Sequence, residues 1–390
     1  MIMSWPLFIL GIVMFIGLVV VHEWGHFIMA RRNGVKVEEF GIFFPPKIFS
    51  RKTKGGWIFS INLLPLGGFV RLKGEHDSDT EKGSFGAATT WVKTKIMGAG
   101  VVMNLVVALV LFTIVGLMGM PKIIDNQFAV ANDDRPISRS VLINYVEPGS
   151  PADKAGLKPQ DALNDISLPG YSPVGITTAA SLKKITKDFS GKTVYVYYER
   201  NGQQSKAKTT LLTQKQVDAS LKTDNPKGFL GVVPMDYTVT RATWSAPITA
   251  IGISAQLTAA TFQGLGHALS GLGGLIAGGI TGNQEARQNG QTSASSQVTG
   301  PVGIFHILKN GSDIGLQFIL FIIAYISLAL AIMNILPIPA LDGGRLWLML
   351  FSRLTKKPIS PKTEEMINAT GFVVLISLVI LITIVDVKRF

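Results

Sequence analysis

The sequence contains one short motif whose residue types and spacing could bind a metal, His22-Glu23-Trp24-Gly25-His26. Residues four apart share a face of a helix, so the imidazoles of His22 and His26 can converge on one ion. Neutral imidazole suits Zn²⁺, and Glu23 beside the first ligand can act as a general base on an activated water. Two histidines at a packing interface would show the same spacing. Here, however, they follow a long apolar run, where ionisable side chains are costly.

A catalytic zinc usually has a third protein ligand and one open position, so a third ligand is expected elsewhere in the chain. His76 lies in a charged loop. The expected membrane topology places His267 and His306 at the outer face of the membrane. Asp342 instead follows a long, nearly uncharged run and arrives at the same cytoplasmic side as His22. Asp342 is therefore the expected third ligand, with a capping or interfacial carboxylate as the alternative.

The elements that must position these side chains are transmembrane helices. Of the 390 residues, 47% are hydrophobic and only 16% are charged, as in a membrane protein. Four apolar runs are long enough, or nearly so, to cross a bilayer: Trp5 to Val21, Ile96 to Met120, Leu316 to Leu341, and Phe372 to Val385 extended back to about Met366. The first lacks the charge pattern of a signal peptide and is expected to stay as a helix. With no cysteine, thiolate ligands and disulfides are excluded.

The net charge of +12 is concentrated in two loops that follow the first and third apolar runs. The positive-inside rule places both loops in the cytoplasm, so the N-terminus and the stretch after Met120 are outside. This alternation explains the charge better than nucleic-acid binding does, and no nucleic-acid partner is expected. The lipid bilayer is the expected surroundings, in the inner or plasma membrane.

The outer segment, residues 121–236, is predicted to be a soluble domain. Val194–Arg200 followed by Asn201-Gly202 is typical of a strand entering a hairpin, and Ser150–Leu157 of a capped short helix ending at glycine. The stretch 146–161, together with Gly228–Val232, resembles the PDZ domain of bacterial proteases. PDZ domains bind peptides by adding them to a sheet edge. The alternative is a small β-rich spacer.

The remaining chain divides around this domain. Residues 1–120 form the N-terminal membrane half, and residues 314–390 the C-terminal half. Between them, 237–313 contains an uncharged, glycine-rich stretch, 242–284. A fifth crossing there would move Asp342 away from His22, so a surface-lying or re-entrant segment is expected. A polar run, 283–297, follows as a linker.

Five motifs resemble those of the site-2 protease family of intramembrane zinc metalloproteases. They are HEWGH at His22–His26, LPLGGFVR at Leu64–Arg71, GVVMN at Gly100–Asn104, GPVGI at Gly300–Ile304 and NILPIPALDGG at Asn334–Gly344. The chain is most similar to bacterial, PDZ-containing members. The resemblance implies a polytopic α-helical membrane protein with about four transmembrane helices, a membrane-associated β-hairpin and an inserted extracytoplasmic α+β PDZ domain.

The resemblance also implies roles for individual residues. His22, His26 and Asp342 would bind zinc, and Glu23 would activate water near the cytoplasmic side. Residues implied to hold the substrate are Asn104, Asn334, Gly67, Gly68, Pro337 and Pro339. The hairpin at Gly67 and Gly68 would pair with unwound substrate as an added strand, and the prolines would leave extended backbone for the same purpose.

The resemblance further implies substrates that are membrane proteins with one transmembrane helix, such as anti-sigma factors or remnant signal peptides. The PDZ domain would filter them by size or bind a newly cut end. Two other classes remain open: an inactive scaffold, and a metal transporter. An intact Glu23 and Asp342 disfavour the first. The clustering of polar groups at one depth disfavours the second, which needs a polar path across the membrane.

Overall fold

The structure, a computed structural model, describes residues 5–75, 79–124, 126–200, 202–221, 226–281, 283–285, 300–357 and 359–389. The chain forms two compact units. A helical unit comprises Met1–Ile114, Pro247–Ser312 and Ile319–Phe390, and a sheet unit comprises Val115–Ala246 and Asp313–Phe318. His76, Asn201 and most of the predicted linker lie outside the described residues.

The long helices match the apolar runs of the sequence. The helices of the helical unit and its borders are α1 (Trp5–Arg32), α2 (Thr90–Met118), α6 (Ala246–Thr281), α7 (Pro301–Ile314), α8 (Leu316–Ile335), α9 (Asp342–Thr355) and α10 (Pro361–Arg389). Within the described residues, α1, α2, α8 and the part of α10 up to Ile384 are long and apolar enough to cross a membrane. Their outer faces carry exposed apolar side chains such as Ile9 and Val13, as lipid contact requires. The predicted polytopic membrane protein is confirmed at this level.

The glycine-rich stretch 242–284 contains α6, one continuous helix of 36 residues. Several of its hydroxyl side chains bond back to carbonyls one turn earlier, as Thr258 does to Ser254 and Thr261 to Leu257. These bonds satisfy the hydroxyl groups without partners from elsewhere. Whether the segment lies on the surface or enters the membrane stays a prediction.

The predicted hairpin is formed by β1 (Val37–Lys52) and β2 (Ile58–Leu72), which pair antiparallel. Residues 39–42 of β1 pair twice, with 68–71 on one side and 58–61 on the other. Both strands must therefore bend, and they do so near Phe43 and Gly67, whose φ angles are 67° and 118°. Glycine adopts such an angle without the strain that a side chain would add.

The bends give this small sheet a free edge. Residues 47–52 of β1 pair with 58–62, so the segments lie in the order 68–72, 37–42, 58–62 and 47–52. The outer side of segment 68–72 pairs with no strand among the described residues. Residues 68–72 are called the edge segment.

The sheet unit contains one sheet, with strand order β3-β9-β4-β5-β7-β8 and β6 paired to β5. Its strands are β3 (Met120–Pro121), β4 (Arg135–Val146), β5 (Ala162–Ser167), β6 (Val174–Gly175), β7 (Thr193–Arg200), β8 (Gln203–Thr210) and β9 (Val232–Arg241). The short helices are α3 (Pro151–Lys154), α4 (Ala179–Asp188) and α5 (Gln214–Ser220). The predicted strand 194–200 lies in β7, and β9 continues past 236 to Arg241.

Alternating apolar side chains build the core of this unit. In β7, Val194 and Val196 are fully buried, and they pack with Ile143, Leu163 and Ile166 of neighbouring strands. This pattern is the one that a sheet with one covered face requires.

The capped helix predicted from the sequence is also present in the sheet unit. The Ser150 side chain accepts a hydrogen bond from the Asp153 backbone N–H at the start of α3. Gly156, just beyond the helix, has a φ of 75°. Both features are typical of a short helix with defined ends. The PDZ assignment itself stays a prediction.

Candidate metal and active site

Three possible metal ligands meet at the junction of α1 and α9. His22 and His26 lie one turn apart on α1, both are 8% exposed, and their Nε2 atoms are 3.2 Å apart. The Asp342 Oδ2 atom, at the start of α9, lies 2.9 Å from His22 Nε2 and 3.0 Å from His26 Nε2. Among the described residues these three form the one group of potential ligands whose donor atoms converge. His267 and His306 are not part of it.

The spacing and chemistry of these donors fit zinc. Ligand atoms about 2.0–2.1 Å from a tetrahedral zinc lie about 3.3 Å from one another, close to the observed separations. Two imidazole nitrogens and a carboxylate are also a usual catalytic donor set, which leaves a fourth position open.

The second nitrogen of each imidazole is held by a neighbour on α2. The His26 Nδ1–H donates to the Ile96 carbonyl at 2.7 Å, so Nε2 is free to bind a metal. His22 Nδ1 lies 3.2 Å from the Asn104 amide, and the buried Asn104 Oδ1 has no partner among the described residues. A half-turn of this amide places Oδ1 as the acceptor for His22 Nδ1–H. Both histidines then present Nε2 to the ion.

Two glycines allow α1 and α2 to approach closely at this point. A Cβ atom on Gly100 would lie 2.5 Å from His22 Cε1 and 2.5 Å from His26 Nε2. A Cβ atom on Gly25 would lie 2.7 Å from the Ala99 carbonyl oxygen. Even alanine at position 100 would therefore intrude among the proposed ligands. The spacing between Gly100 and Asn104 puts both on one face of α2, against the histidines.

The chain before Asp342 is folded tightly onto the first turn of α9. Helix α8 ends at Ile335 and α9 begins at Asp342, so the segment containing Pro337 and Pro339 is not helical, as predicted. Side chains on Gly343 or Gly344 would collide with carbonyls of this segment. A carboxylate in the first turn of a helix is also favoured by the positive end of the helix dipole. The position of Asp342 is thus defined by backbone packing.

Glu23 lies beside this cluster in a cavity of about 520 Å³. Its Cγ atom would be 3.1 Å from a Cβ atom on Gly68, so the carboxylate side chain borders the edge segment. The cavity lining includes Glu23, His26, Asp342, Arg345, Glu75 and the edge residues Gly68 to Leu72. A potential base, two of the potential ligands and an unpaired strand edge therefore share one space.

The other predicted substrate-binding residues occupy varied positions. Gly67 forms the bend next to Gly68, and a Cβ atom there would lie 3.4 Å from the Phe44 ring. Asn334 is half-buried in the last turn of α8. Pro337 is exposed, and Pro339 packs closely against Gly371 of α10. Of this set, the structure brings Gly68 to the cavity and Asn104 to His22.

The sequence interpretation missed the contacts that support these residues. The Ser327 hydroxyl donates to the Asn104 carbonyl at 2.8 Å, and Arg345 joins the cavity lining one turn after Asp342. The sequence itself shows Ser327 as a serine within an apolar helix and Arg345 as a cation three residues from a possible ligand. Neither signal indicates by itself which partner is involved.

Comparisons with known proteins agree with this geometry. A profile described as Peptidase family M50 matches residues 10–378. Zinc metalloprotease RasP of Shouchella clausii is 27% identical over 442 aligned residues, covering 97% of this chain and 98% of its own length. RasP of Geobacillus kaustophilus is 26% identical, with 97% of each chain covered. A Clostridium perfringens protein, provisionally named a zinc metalloprotease, is 29% identical over 97% of this chain and 98% of its own.

These matches extend over nearly the whole chain, including both the HEWGH helix and the segment around Asp342. They confirm the family and the cofactor that the sequence motifs predicted. The chain belongs to peptidase family M50, the site-2 protease type of membrane metalloendopeptidase, and its cofactor is Zn²⁺.

Proposed function

We propose that this enzyme cleaves single-span membrane proteins within or near their transmembrane segment, with His22, His26 and Asp342 as the zinc ligands. The observation that carries the proposal is the convergence of these three donor groups within one cluster at the end of an apolar helix. The neighbouring imidazole contacts, to Ile96 and Asn104, support the same ligand set. Asn104 then acts by orienting His22 rather than by touching the substrate.

Glu23 acts as the general base. His22, His26 and Asp342 would hold the zinc, which would supply Lewis-acid chemistry by polarising the scissile carbonyl and lowering the pKa of water. The Glu23 carboxylate takes a proton from the attacking water and delivers it to the amide nitrogen as the carbon–nitrogen bond breaks. Its place in the cavity beside His26, Asp342 and Gly68 puts it next to any peptide held there.

The edge segment holds the substrate in an extended form. A helical peptide bond is shielded and its carbonyl is already hydrogen-bonded, so the substrate must unwind before it is cut. An unpaired strand edge offers the N–H and C=O groups that an unwound segment needs. Gly68 lies next to Glu23 and leaves room for the substrate backbone. The nonhelical segment with Pro337 and Pro339 lies next to Asp342. With Asn334 at its start, it would contact the substrate from the side opposite the edge segment.

The membrane orientation follows from the charges. The N-terminus and the sheet unit lie outside, and the zinc site lies near the cytoplasmic side of an inner or plasma membrane, as the basic loops predict. Suitable substrates are anti-sigma factors or remnant signal peptides, already shortened on the outer side.

The sheet unit acts as a PDZ domain that filters substrates by size or binds a newly cut end. A groove of about 670 Å³ lies within it, lined by α4, by Gly228–Val232 and by the lysines Lys183, Lys187 and Lys227. These cations suit a peptide carboxylate.

The test compares wild type with Glu23→Gln, each with and without a chelator, using purified full-length protein and a model single-span substrate. We expect cleavage by chelator-free wild type alone, with zinc still bound to Glu23→Gln, because that change removes the base and keeps the ligands. Glu81→Gln is the matched control, since the Glu81 side chain is 72% exposed and does not line the cavity. Cleavage by Glu23→Gln at the wild-type rate would refute the assigned base.

Two further outcomes separate the alternative functions. Zinc-loaded wild type that cuts none of several single-span substrates would favour an inactive scaffold. Zinc uptake into vesicles containing the protein would instead favour a transporter. Both readouts use the same purified protein.

A further inference from the structure

The cavity beside Glu23 is lined by two cations that differ in how fully they are paired. Arg71 of the edge segment forms ion pairs with Glu38 and Glu39. With the described residues, Arg345 makes only long contacts, 3.4 Å from Nη1 to the Glu75 carboxylate and 3.3 Å from Nη2 to the Glu75 carbonyl. Charge-assisted hydrogen bonds of this kind are usually about 2.7–2.9 Å long. Arg345 therefore has donor capacity that Glu75 does not use.

The Nε–H of Arg345 is a further unused donor. Its nitrogen is buried and has no hydrogen-bond partner among the described residues. A buried polar group without a partner is costly, so such groups often mark a ligand site. Arg345 lies three residues after Asp342, on the same face of α9, and both side chains line the cavity. The spare donors thus lie one helical turn from a proposed zinc ligand.

An unwound substrate would need donors at this place. In an extended strand, successive carbonyls point to opposite sides, and the edge segment can pair only with those on one side. The others face away from the sheet, in a cavity where unsatisfied carbonyls are costly. A planar guanidinium with five N–H donors can bind such an oxygen. The contacts to Glu75 are long, so the guanidinium can give them up when the substrate enters.

We propose that Arg345 binds a main-chain carbonyl oxygen of the unwound substrate, next to the scissile bond and on the side that the edge segment does not pair with. The assignment rests on the proposed intramembrane cleavage and adds a substrate-binding residue to it. Because the ligand is a backbone group, Arg345 contributes to every substrate whatever its side chains. The contact to Glu75 is exchanged for the substrate carbonyl on binding.

The first experiment measures kcat/KM and bound zinc for full-length variants. Arg345→Gln should lower kcat/KM about 10- to 100-fold and keep zinc, because a hydrogen bond from a charged donor is lost. Arg345→Lys should lie between Arg345→Gln and wild type, since it keeps the charge and loses the planar fork. Arg353→Gln, near the end of the same helix, is the matched control and should match wild type.

The Glu75→Gln variant tests whether Arg345 binds the substrate or only forms a structural ion pair with Glu75. If Arg345 served only to hold Glu75, both glutamine variants would lose activity equally, and the proposal would be wrong. Under the proposal, Glu75→Gln keeps most of the wild-type kcat/KM, because the guanidinium remains free for the substrate. Wild type that carries zinc and cuts nothing would instead contradict the proposed function itself.

A second experiment identifies the bonded carbonyl. Synthetic substrates that carry one ester in place of a peptide bond have a weaker carbonyl acceptor at that position. One ester position near the scissile bond should reduce wild-type kcat/KM several-fold and leave Arg345→Gln unaffected. Equal losses in both enzymes at every ester position would overturn the proposal, because the arginine and the carbonyl would then act independently.

Discussion

The interiors of the helical unit and the sheet unit are built on different principles. In the sheet unit the central cluster is apolar throughout, with Ile143, Ile166, Val194 and Val196 fully buried. The helical unit also buries polar side chains beside the apolar ones, namely His22, His26, Asn104, Ser327 and the ion-paired Glu39. Removing a polar group from water without a partner costs free energy, so these groups reduce the stability of the unit unless each is paired.

This difference indicates what each interior is selected for. The core of the sheet unit has only to keep that unit folded, so its stability depends on how well the side chains fill the interior. In the helical unit, most of the buried polar atoms near the ligand cluster contact one another, and glycine replaces larger residues where α1 meets α2. Substitutions near the ligand cluster should lower activity while the protein stays folded. Substitutions in the sheet core should destabilise the sheet unit while zinc binding is kept.

The largest effect is expected at Gly100. Gly100→Ala adds a Cβ atom 2.5 Å from His26 Nε2 and His22 Cε1, so the imidazoles must move apart. We expect loss of bound zinc and at least about a 100-fold loss of cleavage, because ligand orientation controls metal affinity. Metal analysis of the purified protein and a cleavage assay measure both.

The matched control is Gly98→Ala on the same helix. A Cβ atom on Gly98 would meet nothing within 4 Å, and alanine favours the helix equally at both positions. Zinc bound normally to Gly100→Ala would show that the site tolerates a side chain there. The close approach of α2 would then have no role in the metal site.

A smaller but still large effect is expected in the sheet core. Ile166 is fully buried in β5, and Ile166→Ala should destabilise the sheet unit by about 2–5 kcal/mol through lost contacts and a cavity. Hydrogen exchange of β5 and β7 amides in the full chain measures this loss. Zinc content and the kcat of the folded protein should stay unchanged.

Val174→Ala provides the control for the core. Val174 pairs directly with Ile166 across the sheet, and it is 43% exposed. Truncating Val174 should lower the free energy of unfolding much less, since an exposed methyl group is already largely in contact with water. If Ile166→Ala lost zinc while its exchange pattern stayed normal, the proposed separation between the two interiors would be wrong.

The parts of the fold that the sequence predicts are those set by local periodicity. The apolar runs define the membrane helices, the alternation in 194–200 defines a strand, and Ser150 with Gly156 marks a short helix. The proximity of Asp342 to His22 could also be predicted, because helix length fixes depth and chain direction fixes the side of the membrane.

The remaining features depend on contacts between distant segments. Residues 39–42 pair on both sides because β1 and β2 bend, and the composition of either strand does not specify such a bend. Likewise, the contact of Asn104 with His22 requires the close packing of α1 on α2. The sequence predicted a surface-lying or re-entrant segment at 242–284 from the number of membrane crossings, and this reasoning does not specify that α6 is one continuous helix.

The smallest expected effect concerns Asp133, one of several buried polar groups of the sheet unit that lie outside its apolar central cluster. Its carboxylate accepts hydrogen bonds from the backbone N–H and hydroxyl groups of Thr243 and Ser245, just before α6. The bond from the Thr243 hydroxyl is the main cause that holds the pKa of Asp133 well below its usual range. A carboxylate whose pKa is lowered by folding stabilises the protein above its ordinary pKa and loses this contribution as the pH falls.

Hydrogen-exchange protection of the Thr243 and Ser245 amides should therefore decrease in wild type as the pH falls below about 5, after correction for intrinsic exchange. In Asp133→Asn it should be low throughout and nearly independent of pH, because an amide has one acceptor oxygen and no charge. Asp134→Asn is the neighbouring control, since Asp134 pairs with Lys122 at 2.9 Å and does not contact these amides. Equal pH dependence in wild type and Asp133→Asn would mean that another group controls the start of α6. The buried carboxylate of Asp133 would then not be what holds the Thr243 and Ser245 amides in place.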